Sequence, residues 1–134
     1  MLEGRPAAGH VTFGGYRDDL PKIMSSSYLG VIASTGWDSF TMSSIEMQAS
    51  GLPLIASDLQ GLSETIEPNV TGQLFSPGDH QALATIILEY VNNPARREAF
   101  SKSARERVVN NFSLEKQVSA LAKVMQSGNQ LKTL

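Results

Sequence analysis

No cysteine occurs among the 134 residues. A disulfide framework, a cysteine-based zinc site and a cysteine nucleophile are therefore excluded, and the composition fits a reducing compartment. Charge of one sign is missing too, since 11 Lys and Arg stand against 13 Asp and Glu for a net charge of −2. Nothing supplies the basic field that a phosphate backbone requires, so nucleic acid is not an expected partner. Apolar runs stay far below the roughly 20 residues of a membrane span. The opening MLEGRPAAGH has no apolar signal core. The two histidines, His10 and His80, lie far apart without metal-ligand spacing around either, and Asp18-Asp19 is not an Asp-x-Asp motif. No required metal is expected. What remains is an ordinary globular composition, 41% hydrophobic and 18% charged, in a chain long enough for one domain with its own core. The expectation is a soluble, cytoplasmic domain whose residues 1–10 are loop or partly an appended stretch.

The punctuation along the chain is regular. VTFGG (11–15) is a short β-rich run ended by two glycines, and DDLPKIMSSS (18–27) makes a helix if Pro21 sits in its first turn. LGVIAS (29–34) is a continuous apolar run, the pattern of a strand covered on both faces. SFTMSSIEMQAS (39–50) reads as a helix closed by Gly51 with Pro53 just beyond. PLIAS (53–57) is the next strand, GLSETI (61–66) a short helix and GQLFS (72–76) another strand. Beyond it the period turns helical. Leu83, Ile86, Ile87, Tyr90 and Val91 share one stripe, as do Phe100, Ala104 and Val108, and then Leu114, Val118, Leu121 and Met125. Strands alternating with helices predict an α/β domain over 11–112, a partial Rossmann-like parallel sheet of about four strands with helices on both faces. A helical C-terminal cap and tail follow over 113–134. Arg96, Arg97, Arg105 and Arg107 are expected on a solvated helical face, with peripheral contact to anionic lipid as the minor alternative.

The stretch GWDSFTMSSIE holds two acids, Asp38 and Glu46, eight residues apart between two apolar runs. In a doubly wound sheet the segment after such a strand lies where ligands bind. The amides of Phe40, Thr41 and Met42, at a helix start, are candidates to hold an anion, phosphate above all. Asp38 just outside the helix and Glu46 two turns along it would bracket that cradle with hydroxyl-binding carboxylates. A phosphate flanked by polyols, as in a nucleotide sugar, suits this pattern. The plainer reading makes Asp38 or Ser39 an N-cap and Glu46 a solvated helical residue. Trp37 is expected to pack at the rim, and Ser34 to serve as a cap or turn residue.

As an ensemble, Asp38 with Glu46, Gly51 with Pro53, Gly61 with Glu64, Thr71-Gly72 and Pro77-Gly78-Asp79 closely resemble the C-terminal domain of GT-B retaining glycosyltransferases of family 4, the group 1 glycosyl transferases. The resemblance runs from about Val11 to about Phe112. It implies that Glu46 hydrogen-bonds the ribose, that Asp38 holds a hydroxyl of the donor sugar, and that the backbone at Phe40, Thr41 and Met42 receives the distal phosphate. The turn Gly14-Gly15-Tyr16 would lie against the base. Two positions depart from the pattern. Asp38 stands where Glu is usual, one methylene shorter, and Thr41 stands where Gly commonly follows the Phe, so that its β-branched side chain is expected to crowd the phosphate.

The resemblance also implies what this stretch does not contain: the other Rossmann-like half, and an Arg/Lys pair that stabilises charge on the leaving diphosphate. The chain alone is therefore expected to be inactive, with the missing half supplied in cis or in trans. A non-catalytic subunit of a split enzyme, a binding-only remnant and a GT-B nucleotide-sugar epimerase remain alternatives. In the family's strand order, 3-2-1-4-5-6, this stretch supplies strands 3 to 6. VTFGG is then expected to dock beside LGVIAS, or else the open edge of LGVIAS is expected to be covered by a second copy of the chain.

Overall fold

A computed structural model describes residues 5–130. A 3₁₀ turn, Pro6–His10, leads through an extended arm to helix α1, Leu20–Ser26, which carries Pro21 in its first turn as its missing N–H demands. Strand β1, Gly30–Ile32, is followed by α2, Met42–Ala49, then β2, Leu54–Ser57, a 3₁₀ turn at Ser63–Thr65, and β3, Gly72–Phe75. Three helices close the chain: α3, His80–Asn92, α4, Pro94–Asn111, and α5, Leu114–Gln130.

Local chemistry sets the boundaries. Gly51 at φ +75° ends α2, because only glycine turns left-handed there without a Cβ penalty; its amide bonds the Gln48 carbonyl and that of Leu52 bonds Met47. The Asp79 carboxylate caps α3 by accepting the Ala82 amide at 2.9 Å. The Asn93 side chain caps α4 by accepting Arg96 N–H at 3.0 Å, with Pro94 next in line.

The strands pair in parallel in the order β1-β2-β3, with Gly30 opposite Leu54 and Leu54 opposite Gly72. Every residue of β2 is buried, and alternation sends its side chains into two cores. Leu54 and Ala56 join Leu62, Ile66 and Met47 on one face, while Ile55 joins Phe75, Tyr90 and Phe100 on the other. Both faces of β2 are thus covered, whereas β1, expected to be covered on both faces, leaves Val31 exposed. Burial pushes the Tyr90 phenol up, only partly offset by the nearby Arg96 charge.

The sheet has three strands rather than four. VTFGG is an exposed arm with Phe13 in solvent, docked beside no strand. An extended run becomes a strand only with a hydrogen-bonding neighbour, and Val11–Gly15 has none among the described residues. The expectation that it docks beside LGVIAS is overturned. Among the described residues β1 pairs on one side alone, with β2.

The four arginines of α4 are not simply solvated: Arg105 is exposed and the other three half-buried, and each has a partner in the fold. Arg96 reaches Glu89 at 3.2 Å and lies over the Phe100 ring, and Arg97 lies over the Tyr28 ring. Arg105 donates to the Ala49 carbonyl, where α2 ends and a cation is favoured by the helix dipole. Arg107 donates to the carbonyls of Thr65 and Glu64. The apolar stripe of α5, by contrast, is exposed at Leu114, Val118, Leu121 and Met125.

Candidate functional site

Because the strands are parallel, the loops leaving β1 and β2 emerge at the same end of the sheet. They face each other across a cleft of ≈ 400 Å³, lined by residues 36–40 from the first loop and by Leu59, Gln60, Gly61 and Glu64 from the second. The loops touch at Gly61, whose φ is +85°. A Cβ there would stand 2.9 Å from the Ser39 carbonyl carbon and 3.0 Å from the Phe40 nitrogen. Both the backbone turn and the close approach therefore require glycine.

Asp38 is half-buried in this cleft. One carboxylate oxygen accepts the Ser34 hydroxyl at 2.6 Å and the other accepts the Ser39 amide at 2.8 Å. Neither Asp38 nor Ser39 caps α2, so the plainer reading of those residues does not hold. The N-cap is Thr41, without a side-chain capping bond. Helix α2 starts at Met42, so its free amides are those of Thr41, Met42, Ser43 and Ser44. Phe40 lines the cleft one residue ahead of them. Thr41 sits at φ −79°, a conformation any residue adopts, and it is not among the cleft-lining residues. Its Oγ1 is buried and has no hydrogen-bond partner. Trp37 stands at the rim, 98% exposed, rather than packed there.

Glu46 points elsewhere. With Ala49 and Ser50 it forms the flank of α2 that lines a second cleft of ≈ 590 Å³, whose opposite wall is Tyr16, Arg17 and Asp18 with Leu20, Pro21 and Met24 of α1. The structure thus brings Tyr16 to Glu46 and keeps Asp38 in the other cleft. Gly15 lies in the turn before Tyr16, and Tyr16 is fully exposed. The arm is braced by a bidentate Arg17–Asp19 pair, both contacts at 2.7 Å, which holds the Asp19 carboxyl below its usual range. Among the described residues no group of three or more His, Asp or Glu is placed to hold a metal ion. No described helix is long and apolar enough to cross a membrane.

Sequence reasoning did not assign Gln60 or Glu64 to the cleft. Gly61 ahead of Glu64 in the sequence was the available signal, since a glycine inside a loop marks a close backbone approach.

Residues 2–107 match the family model described as glycosyl transferases group 1. A phosphatidyl-myo-inositol mannosyltransferase of Mycobacterium leprae is 31% identical over 101 residues, covering 74% of this chain and 27% of its own length. The structure of Anabaena Alr3699/HepE in complex with UDP superposes with a TM-score of 0.85 at 27% identity, covering 89% of this chain and 33% of that one. Sucrose-phosphate synthase from Thermosynechococcus elongatus gives 0.82 at 33% identity, covering 90% and 31%. The chain therefore spans between a quarter and a third of the length of these three proteins. With the parallel sheet, the helices and the cleft between the loops leaving β1 and β2, this match places the chain in the group 1 glycosyltransferase family, as a C-terminal GT-B domain.

Proposed function

We propose that this chain is the donor-binding part of a retaining glycosyltransferase that uses a nucleotide-diphosphate sugar. The observation that carries the reading is the pair of clefts flanking α2, one holding Asp38 and the other holding Glu46 with Tyr16. The second cleft suits a nucleoside, with Glu46 accepting the ribose hydroxyls and the Gly15-Tyr16 turn against the base. The start of α2 suits the diphosphate. Its free amides and dipole favour an anion. The first cleft suits the sugar, held by Asp38, which Ser34 orients.

Catalysis in this reading is electrostatic. The helix amides take up charge that grows on the departing diphosphate, and Asp38 fixes the sugar while that bond breaks. No side chain of the first cleft is assigned as a nucleophile. Residues outside this chain, in cis or in trans, supply the acceptor and the remaining countercharge. The UDP bound to the Anabaena protein makes uracil the first base to test.

The test is calorimetric titration of the chain with UDP, GDP and ADP and with their sugar conjugates. One nucleotide should bind, and Glu46→Ala should weaken it roughly tenfold or more, because charge-assisted hydrogen bonds to the ribose are worth about 1.5–3 kcal/mol. A folded protein that binds none of them, or a Glu46→Ala variant that binds as well as the parent, would sink the assignment.

A further inference from the structure

We infer that Arg107, which touches neither cleft, is a positioning residue for the diphosphate-sugar side of the site. It acts on both walls of the first cleft at once. Its Nη1 donates to the Thr65 carbonyl at 2.9 Å and its Nη2 to the Glu64 carbonyl at 3.1 Å, so the planar guanidinium grips two successive carbonyls of the wall that carries Gly61 and Glu64. The same guanidinium lies 5.0 Å over the Phe112 ring, and Phe112 meets Phe40 edge to face with ring centroids 5.3 Å apart. Phe40 belongs to the opposite wall, directly ahead of the amides of α2.

The grip is continuous with a buried polar cluster. The Thr65 carbonyl also accepts the Gln48 side-chain amide at 2.9 Å, and the hydroxyls of Thr65 and Ser44 are 2.5 Å apart. Ser44 and Gln48 belong to α2, so the wall held by Arg107 is also tied to the helix that follows Phe40. Glu67 lies 4.0 Å from Arg107 and balances its charge at the surface. A lysine at this position has no fork to hold two carbonyls and no plane to stack on Phe112. None of these contacts involves Tyr16 or Glu46, the residues of the second cleft.

The inference rests on the proposed donor-binding reading, and it makes a directional claim. Loss of Arg107 should let the Phe40 and Glu64 walls shift, damaging the phosphate and sugar side and sparing the nucleoside side. The chain, Arg107→Gln, Arg107→Lys and Phe112→Leu are titrated with a nucleoside, its diphosphate and its diphosphate-glucose, using the base that the parent chain binds. Melting temperature and far-UV circular dichroism are recorded for each. Arg107→Gln should weaken the diphosphate and the diphosphate-glucose by roughly tenfold while changing nucleoside affinity less than about twofold, as expected when a remote change misplaces a site by a fraction of an ångström. Phe112→Leu should show the same split to a lesser degree, and Arg107→Lys should not restore the parent's affinity. Unchanged affinities in a folded Arg107→Gln would overturn the inference while leaving the donor-binding reading intact. Equal loss of nucleoside and diphosphate binding, or rescue by lysine, would reduce Arg107 to general packing or charge and overturn it as well. A parent chain that binds no nucleotide overturns the donor-binding reading and the inference with it.

Discussion

The two clefts on either side of α2 are built in opposite ways. The Asp38 cleft has walls tied down from several directions: Gly61 lies against the Ser39–Phe40 peptide, Phe112 packs on Phe40, and Ser44, Gln48 and Arg107 hold Thr65. The Glu46 cleft has one fixed wall, the flank of α2, and one wall formed by an arm whose Phe13 and Tyr16 stand in solvent. That arm is braced by the exposed Arg17–Asp19 pair and by α1 behind it. A site that must hold a reacting bond in one geometry gains from preorganisation, whereas a site that grips the inert end of a ligand tolerates a looser wall. The contrast matches the division of labour proposed for the two clefts.

The comparison can be broken in graded steps. The largest effect should come from Leu54→Ala, because Leu54 is fully buried in the core that β2 shares with Met47 of α2, Leu62 and Ile66. A loss of about 2–5 kcal/mol is expected by urea unfolding, and both clefts should fail together. If one cleft kept its ligand in a substantially unfolded sample, the shared-core account would be wrong. Gly61→Ala should act on one cleft. Its methyl would sit 2.9–3.0 Å from backbone atoms of Ser39 and Phe40 at a left-handed φ, and a cost of roughly 1–3 kcal/mol is expected for such strain. Diphosphate-sugar binding should drop well beyond nucleoside binding, and equal losses would contradict the separation.

Tyr16→Ala should invert that pattern. The side chain is fully exposed, so the melting temperature should not move, while nucleoside affinity falls in titration. The smallest effect belongs to Asp19→Asn. The Arg17 hydrogen bonds lower the Asp19 carboxyl below its usual range, so what stability it contributes is present above that range and is lost as pH falls below it, through the lowered folded-state value. Both partners are exposed and salt screens them. The melting curves of parent and variant should coincide at high salt, differ slightly at neutral pH and low salt, and converge again in acid.

Much of this was legible in the sequence. LGVIAS, PLIAS and GQLFS each contain a strand of the sheet, although only PLIAS is covered on both faces as an unbroken apolar run implies. Asp79, Pro94 and Gly51 mark helix ends through capping chemistry that operates within four residues. Asp38 and Glu46 were expected to bracket one phosphate cradle, and their assignment to separate clefts was not legible in their spacing. VTFGG misled, since β-rich composition says only that a run suits a strand, and a strand exists only where a neighbour pairs with it. The arginines misled for a related reason: a charged residue between apolar ones reads as solvated, whatever carbonyl or ring the fold brings beneath it.

The chain's own sequence determined the alternation of strand and helix, the caps, the buried faces and the two acids beside α2, all set by period, turn chemistry and local hydrogen bonding. Only the tertiary structure decided that Gly61 seats on Ser39, that Arg107 reaches Thr65 across 42 residues, and that Tyr16 shares a cleft with Glu46 rather than with Asp38. Those contacts join residues from separate elements. Their geometry depends on how the helices dock on the sheet, a packing outcome that no local pattern encodes.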